Sequence, residues 1–236
     1  ETHQWIGRQA YEMLPAGAMK TEFGQYLPVS GVEGGSCGPQ LGSGSTLLEG
    51  MYEEDCYLNP LSHFWDPDTD TGLRIKGVPV GKRAVAYAED LYTRALASYH
   101  TGKVGKAQAY YLLGRVAHLL QDMANPAHVH NDDHLPFSGD IYESTTRGFQ
   151  ADYLHDTTTS VSANDAAVHQ FLGGYPLKPI DYRDLPFVIT TTGPTRYPAE
   201  RDTPLFRLFF NLAETSDFFE SEDRDGDPDR IQLNAS

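Results

Sequence analysis

The sequence predicts an all-α protein, and three observations lead to this class. Several segments place apolar residues three and four positions apart, which is the spacing of one helix face. Alternating strand patterns are scarce, and there is no internal repeat. The chain has 236 residues, of which 39% are hydrophobic, so it can bury a substantial core. We predict a single compact multi-helix domain with long ordered loops over residues 1–220 and an acidic tail or linker over 221–236.

The predicted helices follow one another along the chain. The first spans residues 3–14, with Thr2 as its N-cap and Pro15 closing it. The central one, 103–123, is apolar almost all round and is therefore predicted to be buried. The other predicted helices are 44–54, 81–100, 141–155, 162–172 and 203–220. The predicted loops are 29–45, 55–80 and 124–140, and 173–203 is a predicted extended connection.

Charge and cysteine content restrict the possible partners. The net charge is −15, and such a surface repels nucleic acid phosphates unless local cations reverse it, so we expect no nucleic acid partner. No apolar run reaches the roughly 18 residues that a membrane span needs. Cys37 and Cys56 do not form a C-x-x-C pair, so a cysteine zinc site is not expected. The sequence leaves open whether these two cysteines form a disulfide.

The segment HLLQDMANPAH, from His118 to His128, contains the main chemical signal. His118 and Asp122 are four residues apart, so on a helix they share one face. Pro126 is predicted to end that helix, after which His128 returns toward the same end. Two imidazoles and a carboxylate so placed can bind a divalent metal, and zinc suits this ligand set. The alternative is a buried His–Asp hydrogen bond inside an ordinary core helix.

Further histidines and acids favour the metal interpretation. His3 opens the first helix, and Asp55 and His63 lie on either side of an Asn-Pro turn. His134 and Glu143 follow the central motif. A single histidine is usually a satisfied core residue, but several histidines matched to carboxylates are better explained by a multinuclear metal site.

Together these segments resemble the zinc-dependent phospholipase C family, relatives of the S1/P1-type nucleases. The opening H-x-W-I at 3–6 resembles the family's first zinc-binding histidine. The runs EDCYLNP at 54–60 and SHFWDPD at 62–68 resemble its D-Y-x-N-P and S-H-F-Y-D-P-D stretches. The segment 118–128 is the most diagnostic match, and Tyr-Glu at 142–143 resembles the end of the ligand set. The matches span residues 3–143.

The resemblance implies up to three zinc ions in one cleft. Asp55, His63, His118 and Asp122 would hold the first ion. His3 and the bridging Asp122 would hold the second, and His128 and Glu143 the third. Asp55 would also act as the catalytic base that accepts a proton from the attacking water.

Two departures from the family concern the third zinc and the head group. Gly139 stands where the family has a histidine, so we predict that His134 completes the third site, with Asp140 as the second choice. The family's choline-receiving aromatics are replaced by Cys56 and Pro60, which makes choline preference doubtful. Tyr57, Phe64 and Trp65 are the candidate substrate-binding aromatics instead.

The resemblance implies a phospholipase C that releases diacylglycerol and a phosphorylated head group at a membrane surface. A P1-like single-strand nuclease and a non-catalytic zinc-stabilised binding module are the alternatives. We expect a monomer without a transmembrane segment, secreted or periplasmic. The run Asp223–Asp229 could bind Ca²⁺, although a solvated linker is the favoured interpretation.

The N-terminus carries a further expectation. In the resembled family an N-terminal Trp chelates the zinc shared with the first histidine, and the nuclease relatives begin W-G-x-E-x-H. This chain begins E-T-H, so we expect a signal peptide and a few residues to be missing before Glu1. Without them, zinc between His3 and Asp122 should be weak or absent unless Glu1 supplies a ligand.

Overall fold

The computed structural model describes residues 2–27, 35, 37, 46–131, 197 and 201–218. Helices account for 66% of these residues, and the only strands among them form one short hairpin, so the predicted all-α class is confirmed. The helices predicted over 141–155 and 162–172 and the tail 221–236 lie outside this part of the chain.

Seven α-helices and one hairpin make up the described residues. The hairpin strands β1 and β2 are antiparallel, and Ile75 lies opposite Val78. A 3₁₀ turn follows the third helix. The elements in chain order are α1 (Thr2–Glu12), α2 (Ala18–Tyr26), α3 (Leu47–Glu54), the 3₁₀ turn (Asn59–Ser62), β1 (Arg74–Ile75), β2 (Val78–Pro79), α4 (Ala84–Tyr99), α5 (Gly102–Asp122), α6 (Pro126–Val129) and α7 (Pro204–Asp217).

Helix α5 is the central element, as its apolar pattern predicts. It packs along α4 on one side and α3 on the other, and residues around much of its circumference are buried. The larger core cluster joins α4 and α5 to Trp65 and to the phenylalanines of α7. A smaller cluster, which includes Leu48, Met51 and Tyr110, fills the space between α3 and α5.

Two glycines allow α3 and α5 to approach at backbone distance. A Cβ atom on Gly114 of α5 would collide with the carbonyl oxygen of Leu47 in α3. A Cβ atom on Gly50 of α3 would collide with the carbonyl oxygen of Tyr111 in α5. This close contact places the last turn of α3, and Asp55 after it, against the C-terminal half of α5.

A capping box defines the start of α3. The Thr46 side chain accepts a hydrogen bond from the Glu49 backbone, and the Glu49 carboxylate accepts one from the Thr46 backbone. This reciprocal pair satisfies two backbone donors at the N-terminus. Eight residues later the helix ends, and Asp55 is its C-cap.

Pro126 starts a helix, which corrects the prediction that it ends one. Helix α5 ends at Asp122, before the proline, and Pro126 is the first residue of α6. Proline is well suited to this position because its missing N–H would have no helical partner there. The Asn125 side chain caps the new turn by accepting a hydrogen bond from the Ala127 N–H. The short helix places His128 beside the end of α5.

The loop after α3 is ordered, as Phe64 and Trp65 predict. The backbone N–H of Trp65 donates to the His128 carbonyl, and the backbone N–H of Ala84 donates to the Phe64 carbonyl, so the loop is tied to α6 and α4. A disulfide joins Cys37 to Cys56 and answers the question that the sequence left open. These ties hold the chain around His63 against the end of α5. None of the described helices is long and apolar enough to cross a membrane.

We expect Gly114→Ala to destabilise the protein because the new methyl group collides with the α3 backbone, which cannot move aside as a side chain could. Overpacking of this kind costs about 1–3 kcal/mol, more than the roughly 1 kcal/mol that alanine adds to a helix. Urea denaturation gives the free energy of unfolding. The control is Gly24→Ala in α2, where the added Cβ would meet only the hydroxyl end of Tyr11, at 2.6 Å. Equal stability of the two variants would contradict the α3–α5 contact.

Candidate metal centre

The carboxylate of Asp122 lies at the centre of four imidazoles. His63 Nδ1 lies 3.0 Å, and His118 Nε2 3.4 Å, from one carboxylate oxygen, Oδ2. On the other, Oδ1, His3 Nε2 is 3.4 Å away and His128 Nδ1 is 3.6 Å away. Six of the eight metal ligands predicted from the sequence are described, and five of them meet at this point.

Four chain segments supply these groups. His3 is in the first turn of α1, His63 follows the 3₁₀ turn, and His128 lies in α6. His118 and Asp122 are one turn apart at the end of α5 and share a face, as their spacing predicts. The alternative of a simple His–Asp hydrogen bond does not account for the three further imidazoles.

Asp55 is the sixth predicted ligand and lies on the open side of the cluster. Its Oδ1 atom is 3.4 Å from His118 Nε2, and its side chain is 61% exposed. Asp122, by contrast, is only 3% exposed. The centre therefore combines one buried carboxylate, surrounded by imidazoles, with one carboxylate that solvent can reach.

Hydrogen bonds behind two of the imidazoles determine which nitrogen faces the centre. His118 Nδ1 is 2.8 Å from the Met51 carbonyl oxygen, to which it can only donate. His3 Nδ1 is 2.9 Å from Gln121 Oε1. With Nδ1 engaged behind each ring, Nε2 is the nitrogen that faces Asp122 and can bind a metal once it is deprotonated. Partners of this kind orient histidines that bind metals.

The ligand atoms form two groups that could each hold a metal ion. One group is His3, His118 and Asp122, and the other is Asp55, His63 and His118; within each, the atoms lie within 4.8 Å of one another. His118 belongs to both groups, whereas the resemblance implied Asp122 as the shared ligand. Among the described residues, His118 Nε2 and Asp122 Oδ2 are buried without any hydrogen bond, although ion-pair partners lie within 3.0–3.4 Å. Such an arrangement of ligand atoms suits a divalent cation.

In the metal-free protein, protons on the imidazoles take the place of a cation. Burial alone would raise the pKa of Asp122, but His118, His128 and His63 outweigh it and hold this pKa well below its usual range. Burial opposes the charge on His63 and His118 as well, yet Asp122 raises the pKa of His63 to about 9 and that of His118 well above 6.5.

The pKa values of His3 and Asp55 respond to the same charges. Burial and the stacked ring of His118, 3.7 Å away between centroids, lower the pKa of His3 to about 4. Burial acts to raise the pKa of Asp55, but the charge of His118 beside it lowers this pKa to about 2. Asp55 is therefore ionised at neutral pH.

The remaining predicted ligands lie outside the described residues. These are His134 and Glu143, together with the alternative Asp140 and the N-terminal Glu1. The assignment of the third zinc to His128, Glu143 and His134 stays a prediction. His130, which follows α6, lies 3.7 Å from Asp217 of α7 rather than at Asp122.

Of the three aromatics predicted to bind substrate, only Tyr57 is exposed. Its exposed fraction is 69%, against 5% for Phe64 and 0% for Trp65. Trp65 packs against Phe206 in the core and donates its indole N–H to Asp70, so its ring presents no exposed face to a substrate. Phe64 is buried beside the His128 ring, 4.8 Å between centroids, and supports the site from behind.

Sequence reasoning missed two polar residues that face the site. Gln121 contacts His3, and Glu54 is fully buried with Oε1 3.6 Å from His63 Nε2. Each precedes a predicted ligand in the chain. Their proximity in sequence to Asp122 and Asp55 was the only available signal, because the direction of each side chain depends on how α1 and α3 pack on α5.

After a chelator has removed any metal, the free energy of unfolding of the protein should fall as pH rises from 6.5 to about 9. A raised histidine pKa stabilises the fold fully below the unfolded value of 6.5, and this contribution is lost as His63 deprotonates near pH 9. His118 acts in the same direction, and His3 is neutral in both states above pH 6.5. Urea denaturation at both pH values measures the change in unfolding free energy.

Two comparisons test this prediction. His63→Gln should reduce the pH dependence, whereas the same change at His100, which is exposed at the end of α4, should not. Loading with zinc should abolish the loss at high pH, since metal ligands must be deprotonated. Constant or rising stability of the metal-free protein over this range would contradict the arrangement of charges.

Two comparisons with known proteins found no match for this chain. No protein-family model matches it, and no curated protein matches it. The assignment of a function therefore depends on the geometry of the centre around Asp122.

Proposed function

We propose that the protein is a zinc-dependent phosphodiester hydrolase, specifically a phospholipase C that acts on glycerophospholipids. The observation that carries this proposal is the convergence of four imidazoles and two carboxylates around Asp122, with Asp55 open to solvent. A likeness in motif order to the zinc-dependent phospholipase C family supports the same reaction class.

The donor set suits zinc, because imidazole nitrogen and carboxylate oxygen are its usual ligands. His3, Asp55, His63, His118 and Asp122 would hold two ions, and His128 would hold a third together with residues outside the described part. When bound, zinc neutralises phosphate charge, lowers the pKa of a bound water toward ~7 and stabilises the leaving alkoxide.

The residues of the chain divide the remaining work between them. Asp122 is buried, ionised and surrounded, so it holds the imidazoles in place. Asp55 is ionised and exposed, and it can accept the proton of the attacking water through a carboxylate oxygen. A closed structural site has four protein ligands and no open position, so a centre that is open to solvent at Asp55 favours catalysis over a zinc-stabilised binding module.

The surroundings of Asp55 favour a lipid substrate. Tyr57 and Leu58, which come two and three residues after it, are 69% and 76% exposed. An exposed aromatic and an exposed aliphatic side chain at the rim suit contact with a lipid surface. The net charge of −15 disfavours a polyanion such as single-stranded DNA. The Cys37–Cys56 disulfide supports a secreted or periplasmic location, since disulfides persist in oxidising compartments.

Activity against two substrates, each with and without chelator, tests the proposal. We expect the zinc-loaded protein to release diacylglycerol and a phosphorylated head group from an emulsion of mixed glycerophospholipids, and chelation should abolish this release. Hydrolysis of single-stranded DNA instead would identify the nuclease alternative. Tight zinc binding without hydrolysis of either substrate would identify a non-catalytic module.

Asp122→Asn should remove at least one metal ion, because Asp122 belongs to the ligand group of His3 and His118 and both of its oxygens lie close to imidazoles. We expect the metal content to fall by at least one ion and turnover to fall at least 100-fold, on the order expected when a charge-stabilising group is lost. Elemental analysis and the lipid assay measure the two effects.

The matched control is Asp90→Asn, which removes a surface carboxylate paired with Lys82. It should leave metal content and turnover unchanged. An Asp122→Asn protein with full metal content would contradict the central role of this carboxylate.

A further inference from the structure

A second buried carboxylate lies behind the metal centre, on the far side of His63. Glu54, the last residue of α3, is completely buried, and its Oε1 atom is 3.6 Å from His63 Nε2. The other ring nitrogen, Nδ1, is 3.0 Å from Asp122 Oδ2. The His63 ring is thus held between two carboxylates, one in the centre and one behind it.

Arg115 and Tyr87 hold Glu54 in this position. Arg115 Nε donates to Glu54 Oε2, and Arg115 Nη2 donates to the Tyr87 hydroxyl at 2.6 Å. Arg115 lies on α5 one turn before His118, so the same helix carries a metal ligand and the partner of Glu54. A buried carboxylate needs such a positive partner, since burying an unpaired charge costs several kcal/mol.

We propose that Glu54 is a positioning residue for His63. Its carboxylate faces Nε2 at 3.6 Å and favours a proton on that nitrogen, which leaves the Nδ1 lone pair directed at the metal. This inference rests on the proposed metal centre. It assigns His63 the opposite ring nitrogen from His3 and His118, whose Nδ1 atoms are engaged behind the ring and whose Nε2 atoms face Asp122.

The physical basis is the behaviour of histidines that bind metals. A carboxylate behind the ring selects the tautomer, restricts rotation and makes the ligating nitrogen more basic, and its loss typically weakens metal binding about 10–100-fold. Glu54 is well suited to this role because Arg115 engages its second oxygen and the packing of α3 on α5 restrains its backbone.

Nitrogen NMR of the zinc-loaded, ¹⁵N-histidine-labelled protein tests the assignment directly. We expect the His63 resonances to show a protonated Nε2 and a metal-bound Nδ1, whereas His3 and His118 show the reverse. The resonances can be assigned with single His→Gln variants. A metal-bound Nε2 at His63 would overturn the proposal, and this measurement needs no change at Glu54.

Glu54→Gln tests the energetic consequence. We expect its zinc affinity at one site, measured by competition with a chelating dye, to fall at least tenfold. The variant should also show a weaker preference for the Nε2-protonated tautomer at His63. The matched control is Glu53→Gln, which removes a neighbouring buried carboxylate that contacts Tyr111 instead of an imidazole. It should bind zinc as the wild type does.

The outcomes separate this inference from the proposed function. If the wild-type protein binds no zinc, both fail. If it binds zinc and Glu54→Gln matches it in affinity and tautomer, only the role of Glu54 is wrong. If Glu54→Gln does not fold, the wild-type nitrogen spectrum decides.

Discussion

The charge on Asp122 is the constraint on which the rest of the described structure depends. This carboxylate is buried at the end of the central helix, where an unpaired charge costs several kcal/mol. Imidazoles from the loop after the 3₁₀ turn, from α5 and from α6 supply the compensating charge, and the neutral imidazole of His3 in α1 lies beside them. Four segments distant in sequence are thereby held at one point, which is why the site and the scaffold cannot be separated in this protein.

The close contact between α3 and α5 has a similar double role. Gly50 and Gly114 allow the two backbones to touch, and this contact presents the Met51 carbonyl to His118 and the end of α3 to the metal centre. Asp55 and Glu54, adjacent in sequence, then lie in opposite environments. One is exposed at the mouth of the site, and the other is buried behind His63 beside Arg115. A reactive carboxylate and a positioning carboxylate can therefore come from consecutive residues.

The metal-free site has an electrostatic arrangement that prepares it for a cation. Protonation of His63 and His118 balances Asp122, so a divalent ion replaces protons rather than creating a new charge in the interior. Outside this buried region, the disulfide ties Cys37 to Cys56, the residue after Asp55, and Tyr57 adds a hydrogen bond to the Cys37 carbonyl. The open side of the site is therefore built on restrained backbone, which suits a surface that must meet a substrate.

The sequence by itself determined the all-α class, the positions of α4, α5 and α7 and the shared face of His118 and Asp122, because helical periodicity and four-residue spacing are local properties of the chain. The wider ligand set was implied by the order of motifs that resemble a known family. It did not predict α2, whose residues lack a strong apolar stripe, or the helix that begins at Pro126. Trp65 was a candidate substrate-binding aromatic because no local signal shows that Phe206 packs against it. The tertiary structure alone decided that His118 joins two ligand groups, that Glu54 lies behind His63, and which nitrogen of each ring faces Asp122, since these follow from helices that pack across long separations in sequence.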